Sequence, residues 1–319
     1  MSLLEIKNLK TYFFTTKGIV RAVDDVSLSL NKGEILGLAG ESGCGKSTLA
    51  YSIIRLIPPP GKIVSGKILF EGEDILSYTE EEFRSKIRMK KISMIFQGAL
   101  HGLTPVYTVG YQLLEVFKYH SDIEETKAKE IITETVKLVG LDPTILRRYP
   151  HELSGGQKQR IMICMSILLK PPLVIADEPT TALDVVVQAQ ILNLLKELQA
   201  KFNMSMILIT HDLSIIAELA DKVAIMYAGK IVEYANSMDL YKDPLHPYTQ
   251  KLIRSIPRLK EDISKLEFIP GLPPDLRNPP SGCRFHPRCP FAMEICKKVE
   301  PELVEIKPNH FVACHLYTK

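Results

Sequence analysis

The sequence predicts a layered α/β protein whose main sheet is largely parallel, and three observations predict it. Short, nearly all-apolar runs recur at residues 34–39, 92–96, 173–176, 206–209 and 223–227, as expected of strands buried on both faces. Helical patterns fall between several of them, at 123–138, 186–201 and 213–220. The run at 34–39 ends in glycines and leads directly into a helical stretch, 46–57. Buried strands alternating with amphipathic helices imply layers built around a parallel sheet. At 319 residues the chain can form one large domain, or a core domain plus an appendage.

In chain order, the first thirty residues alternate in β-like fashion through Leu4, Ile6 and Leu9, then Val20, Ala22, Val26, Leu28 and Leu30. This reads as an antiparallel sheet with a turn at Lys17-Gly18. The helix at 46–57 is expected to stop at Pro58-Pro59-Pro60, which lack amide donors and fix φ. A short strand follows at 68–70. From Gly98 to about Lys170 the pattern is helical without a convincing strand, which implies an inserted helical subdomain. After Ser237, Pro244, Pro247, Pro257, Pro270, Pro273, Pro274, Pro279 and Pro280 break any long periodicity. The expected division is therefore a core at 1–237, with its helical insert at 98–170, and a loop-rich extension at 238–319.

Composition excludes several classes. The chain is 45% hydrophobic and 24% charged, as ordinary soluble domains are. With 40 basic and 37 acidic residues, its formal charge of +3 makes no case for nucleic acid. The longest apolar stretch, residues 161–169, is interrupted by Ser166, whereas a membrane-spanning helix needs roughly 20 residues. The N-terminus MSLLEIKNLK has no basic region followed by an apolar one. The expected location is cytoplasmic.

Residues 40–47 read GESGCGKS and match GxxxxGK[ST] between a strand and a helix. Gly40, Gly43 and Gly45 let the backbone curl so that amides, including those of Ser42 and Cys44, point at phosphate oxygens, and the helix N-terminus adds partial positive charge. Lys46 is expected to bridge the β- and γ-phosphates of ATP, Ser47 to ligate Mg²⁺, and Thr48 to approach the α-phosphate. The apolar strand LVIA runs into Asp177 and Glu178. Asp177 is expected to hold the metal, and Glu178 to act as general base on the attacking water. About twenty residues earlier stands Leu153-Ser154-Gly155-Gly156-Gln157, opening an apolar helix. This is a second anion-binding device. One nucleotide does not need two such cradles from one subunit, so this one is expected to reach the γ-phosphate held by a partner chain.

LSGGQ beside these two motifs resembles the ATP-binding cassette family over residues 1–237. The resemblance implies a P-loop NTPase (RecA-like) core and further roles. Tyr12 resembles the aromatic residue that stacks on adenine, with Phe13 and Phe14 as alternatives. Gln97 resembles the glutamine that senses Mg²⁺ and water at the hinge to the helical insert. Thr181-Ala182-Leu183-Asp184 resembles the D-loop, with Thr where Ser is usual, and His211 resembles the histidine that contacts the γ-phosphate. No catalytic position is degenerate, so a competent ATPase is expected.

Four of the six cysteines, Cys283, Cys289, Cys296 and Cys314, crowd the C-terminus with spacing C-x5-C-x6-C-x17-C. In a reducing compartment metal ligation is the leading reading. Zinc usually takes closer pairs, four spread thiolates suit an iron–sulfur cube, and spacing alone leaves the two near even. The wider string, from DPLHPYTQKLIRSIP to IPGLPPDLRNPPSGCRFHPRCPFA, resembles the C-terminal region of oligopeptide/dipeptide importer ATPases. That resemblance implies a 4Fe-4S cluster on the four cysteines, with zinc as the alternative; its expected role is to staple a tail that lacks a large core, with redox sensing as the alternative. Cys44 and Cys164 are expected to be packing residues, and a lowered thiol pKa that makes Cys44 oxidation-sensitive is a weaker expectation.

The expected function is that of the D-type ATPase subunit of a peptide-type importer, peripheral on the cytoplasmic face of the plasma membrane. Its expected partners are a second ATPase subunit, a paralogue with a homodimer as the alternative, two transmembrane permease subunits and an extracellular solute-binding protein. The alternatives are an importer of the same type carrying oligosaccharides and a cassette ATPase acting on nucleic acid or ribosomes. A single cassette, no heptad run and balanced charge weigh against the latter. Residues 98–105, GALHGLTP, depart from the family's usual wording near the permease contact.

Overall fold

The computed structural model describes residues 2–98, 102–255 and 269–317. Residues 99–101 of the unusual GALHGLTP stretch, and Pro257, lie outside them. The chain divides into two compact units, one made of Asn31–Gly33 and Ile75–Ile207, the other of Ser2–Leu30, Glu34–Asp74 and Leu208–Lys319. Strand β8 (Ser205–Ile209) carries the chain from the first to the second.

The second unit begins with β1 (Ser2–Thr15) and β2 (Gly18–Asn31). They join β4 (Gly61–Phe70) and β5 (Glu73–Asp74) in a four-stranded sheet of order β2-β1-β4-β5. β1 runs antiparallel to β4, with Leu4 opposite Phe70 and Tyr12 opposite Lys62. Leu4, Ile6 and Leu9 are buried as their alternation predicts. β3 (Ile35–Ala39) is buried at all five positions and leads through a glycine loop to α1 (Lys46–Ile53). This helix ends earlier than the prolines suggest, because Arg55 takes a left-handed backbone (φ 54°) and turns the chain first.

Beside β3 lies β9 (Lys222–Tyr227), parallel to it, and β10 (Lys230–Asn236) returns antiparallel to β9. β10 has no clear alternation, because both of its faces are buried and a glutamate sits among them. Helix α7 (Leu213–Leu219) packs on β3 through a side-chain-free spot: a Cβ at Gly37 would lie 2.3 Å from Ile216 Cγ2.

In the first unit, β6 (Ile92–Ile95) pairs in parallel with β7 (Leu173–Asp177). Before β6 come the one-turn α2 (Glu80–Glu82) and a π-helical turn, Phe83–Ile87. The described residues between β6 and β7 contain α3 (Val109–His120), α4 (Glu125–Leu138), two 3₁₀ turns and α5 (Gly155–Ile167), and no strand. α3 and α4 bury the apolar stripes Leu113, Val116, Phe117 and Ala128, Ile132, Val136. Helix α6 (Val185–Phe202) follows β7.

The extension is more structured than its prolines suggest. It contains α8 (Ser237–Lys242), α9 (Pro247–Arg254) and α10 (Glu294–Lys298), and a hairpin of β11 (Val304–Lys307) and β12 (His310–Val312). β12 adds antiparallel to β10. Glu233 of β10 is fully buried and accepts hydrogen bonds from Leu245 N (2.7 Å), His246 N (2.9 Å) and His310 Nε2 (2.7 Å). Tyr227, Tyr248 and Phe285 pack ring to ring, with centroids 4.6 to 5.4 Å apart.

These contacts correct the expected metal staple. Cys283, Cys289, Cys296 and Cys314 come into one neighbourhood, and the Cys283 thiol is pushed up to about 12, first by burial and then by the other three. Yet among the described residues no three His, Cys, Asp or Glu side chains are grouped as a metal ion needs. Neither the 4Fe-4S cluster nor zinc is supported. The physical reason is that the tail does not have to make its own core: it docks strand to strand and ring to ring on β9 and β10.

His246 sets a pH dependence. It is the N-cap of α9, its Nδ1 accepts from Tyr248 N, and burial drives its pKa down to about 4 against a smaller opposing effect of Glu233. The unfolded chain therefore binds more protons between pH 6.5 and 4, and stability falls as pH falls through that window, by roughly 3 kcal/mol in all. Denaturant titrations at pH 7 and 4 should show this loss, and His246→Gln should flatten it; an unchanged slope in the variant would dismiss His246 as its source.

Candidate functional site

The residues expected to bind phosphate fall on the loop between β3 and α1, and three glycines shape it. Gly40, Gly43 and Gly45 have φ of 148°, 76° and 112°, values that other residues rarely adopt. A Cβ at Gly45 would lie 2.0 Å from Ala22 O, whereas one at Gly43 would meet nothing within 4 Å. The loop is thus pressed onto β2 on one side and open on the other. α1 has Gly45 at its N-cap, no side-chain cap and no acidic residue in its first turn. The amides of Lys46, Ser47 and Thr48 are thereby left for an anion, which fits a triphosphate. Lys46 is largely buried and donates from Nζ to Gly40 O (2.8 Å) and Glu41 O (3.0 Å). Cys44 is buried, and burial raises its thiol pKa against the pull of Lys46, which overturns the idea of an activated, oxidation-prone cysteine.

Tyr12 is half-buried on β1, and its hydroxyl donates to Asp24 Oδ1 at 2.6 Å. Burial and this bond push the phenol up to about 12. Phe13 points elsewhere, since a Cβ at Gly61 would lie 2.7 Å from its ring, and Phe14 is exposed. His211 follows β8 on the surface, next to Asp212, which caps α7.

In the first unit, β7 delivers Asp177, the residue expected to hold the metal, fully buried at its C-terminal end. The next residue, Glu178, adopts a left-handed backbone (φ 45°), a costly conformation for glutamate that clusters at functional sites. Its carboxylate accepts from Gln97 Nε2 (2.8 Å) and Thr181 Oγ1 (2.9 Å). The structure thus joins three residues that the sequence presents as separate motifs, and Thr181 emerges as a partner of Glu178. Ser would offer the same hydroxyl, which explains why threonine serves here.

Ser154 caps α5 in a reciprocal box: Gln157 N donates to Ser154 Oγ (3.3 Å), and Ser154 N to Gln157 Oε1 (3.0 Å). Ser154 is exposed, and Gly155 and Gly156 open the helix beyond it. A Cβ at Gly156 would press on Val187 of α6 at 3.0 Å. Asp184 caps α6 through Val187 N (2.9 Å). Two capped helix starts, α5 and α6, therefore meet where Gly156 faces Val187.

This constellation is that of an ATP-hydrolysing cassette, and the comparisons agree. The family described as "ABC transporter" matches residues 23–181, and "Oligopeptide/dipeptide transporter, C-terminal region" matches residues 232–296. The chain is 47% identical over 319 residues to the oligopeptide transport ATP-binding protein AppD of Bacillus subtilis (strain 168), covering 99% of this chain and 97% of that protein. It is 45% identical to the oligopeptide transport ATP-binding protein OppD of Escherichia coli (strain K12), covering 98% and 93%. A dimeric post-hydrolysis structure of the ATP-binding cassette MJ0796, bound to ADP and Pi, superposes with a TM-score of 0.65 at 27% identity, covering 73% of this chain and 98% of that one. The chain belongs to the ABC transporter family, as one of its ATPase cassettes.

The glycine geometry makes a paired prediction. Gly45→Ala should cost more than about 2 kcal/mol, since backbone strain adds to a clash with fixed backbone. Gly43→Ala should cost only about 1 kcal/mol of strain yet weaken nucleotide binding by filling the open side of the loop. Urea denaturation and equilibrium nucleotide binding check both, and equal effects of the two substitutions on stability would contradict the packing.

Proposed function

We propose that this chain is the ATP-hydrolysing subunit of an importer for di- and oligopeptides or chemically related solutes. The observation that carries the reading is a match that runs through both the cassette and the C-terminal region of oligopeptide transport ATP-binding proteins. Residues 1–237 would form the nucleotide-binding domain, with 98–170 as its helical subdomain, and 238–319 the extension. The chain would act on the cytoplasmic face of the plasma membrane; no helix of the described residues is long and apolar enough to cross a membrane. Its partners would be a second ATPase subunit, two permease subunits and an external solute-binding protein.

In this reading the amides of residues 40–48 and Lys46 hold the α-, β- and γ-phosphates, and the ring of Tyr12 takes the adenine. Ser47 and Asp177, with Gln97, would hold Mg²⁺, which when bound neutralises charge on the β- and γ-phosphate oxygens. Glu178, oriented by Gln97 and Thr181, accepts a proton from water as the water oxygen bonds to the γ-phosphorus. The bond from that phosphorus to the bridging oxygen breaks, and ADP leaves with the electron pair. His211 steadies the γ-phosphate oxygens. Ser154, Gly155, Gly156, Gln157 and Asp184 would face the nucleotide of the partner subunit, so that ATP closes the pair and hydrolysis reopens it.

Glu178→Gln keeps the shape of the side chain and removes the base. Turnover should fall at least about 100-fold, while Mg-ATP should hold the ATPase pair together in size-exclusion chromatography. Wild-type turnover in this variant would sink the assignment. Cells carrying the variant should also lose uptake of a labelled tripeptide; loss of oligosaccharide uptake instead would redirect the substrate class.

A further inference from the structure

The extension reaches back to the phosphate loop of its own unit, and every polar group of Glu41, the second residue of that loop, is engaged. Its amide donates to Tyr248 Oη of α9 at 2.8 Å. Its carbonyl accepts from Lys46 Nζ at 3.0 Å. Its carboxylate is gripped by both arms of Arg288, Nη1 to Oε2 at 2.6 Å and Nη2 to Oε1 at 2.9 Å. Arg288 is itself fixed: Nε donates to Pro270 O (2.8 Å), Nη2 to Gly271 O (3.3 Å) and Nη1 to Tyr227 Oη (3.3 Å), and its side chain is only 7% exposed. Such a two-pronged pair fixes direction as well as charge.

A second arm touches the other end of the nucleotide site. Arg284, equally buried, donates to Asp24 and to Ala228 O. Asp24 in turn accepts from the Tyr12 hydroxyl. The extension thus supplies one arginine to the phosphate loop and one to the mount of the aromatic ring.

We infer that Arg288 and Arg284 are positioning residues of the nucleotide site, Arg288 acting through Glu41 on the triphosphate and Arg284 acting through Asp24 and Tyr12 on the base. The inference rests on the reading of residues 40–47 and Tyr12 as the ATP site. A carboxylate on an anion-binding loop opposes its ligand unless a cation offsets it, and Arg288 is that cation. When Lys46 turns from Gly40 O and Glu41 O to meet phosphate, the loop gives up two of its own bonds. Those from Arg288 and Tyr248 remain and keep its shape.

The test uses the full chain, a fluorescent N-methylanthraniloyl ATP as probe and inorganic tripolyphosphate as competitor. Arg288→Ala should weaken both ligands about 10-fold, and Arg288→Lys, which keeps the charge and loses the fork, about threefold. Steady-state KM for ATP should rise in step while kcat falls less than about twofold, the pattern of lost binding rather than lost chemistry. The exchange Glu41→Arg with Arg288→Glu should recover most of the affinity. Arg284→Ala should weaken the probe and leave tripolyphosphate unchanged, because it acts on the base alone. Thermal melts without nucleotide identify any variant that fails to fold, in which case Arg288→Lys and the exchange decide. Wild-type affinity for both ligands in a folded Arg288→Ala or Arg288→Lys overturns the inference, as does a fall in kcat with KM unmoved. If the unaltered chain binds neither ligand, the underlying ATP reading fails instead.

Discussion

A single buried carboxylate organises the second unit. Glu233 has no exposed surface and accepts two backbone amides and one imidazole, which compensates the cost of burying its charge. Those three donors belong to the entry of α9 and to β12, so the bonds that satisfy Glu233 also fix where the extension docks. With α9 in place, Tyr248 meets the amide of Glu41 and joins the ring cluster with Tyr227 and Phe285. The route from strand interior to phosphate loop is thus a chain of direct contacts rather than a diffuse effect.

The two kinds of site in the molecule are built differently. The phosphate loop is a matter of backbone: glycine torsions, a helix start without a side-chain cap, and open space above Gly43. The proposed hydrolytic group is a matter of side chains, with Glu178 held from two sides by Gln97 and Thr181 on a backbone conformation that disfavours it. Binding tolerates little change in shape, and chemistry tolerates little change in orientation.

This difference explains what could be read in advance. GESGCGKS, LVIADE and LSGGQ stood out in the sequence because the chemistry expected of them needs fixed residue types at short spacing, whereas His211 was singled out only by its resemblance to the family. The strands at 35–39, 173–177 and 205–209 were legible because burial on both faces leaves an unbroken apolar run. β10 was not, since Glu233 interrupts it and earns its place only through partners far along the chain. Arg288 and Glu41 lie 247 residues apart, Arg284 and Asp24 260, His310 and Glu233 77. Each looks like an ordinary charged residue until the fold pairs it. The four cysteines misled for the opposite reason: their crowding in sequence suggested a metal core, while the tail's support comes from the strands and rings beneath it.

The acidic residue in the phosphate loop has one more consequence. A shortened protein ending near residue 237 would retain Glu41 and lose Arg288 and Tyr248, leaving the Glu41 carboxylate without the guanidinium that balances it. Grafting this cassette onto other machinery, or trimming it for biotechnology, therefore calls for neutral replacements at positions 24, 41 and 233, each of which loses its partner in the extension. What reads as a removable accessory carries the countercharges of three acidic residues that precede it.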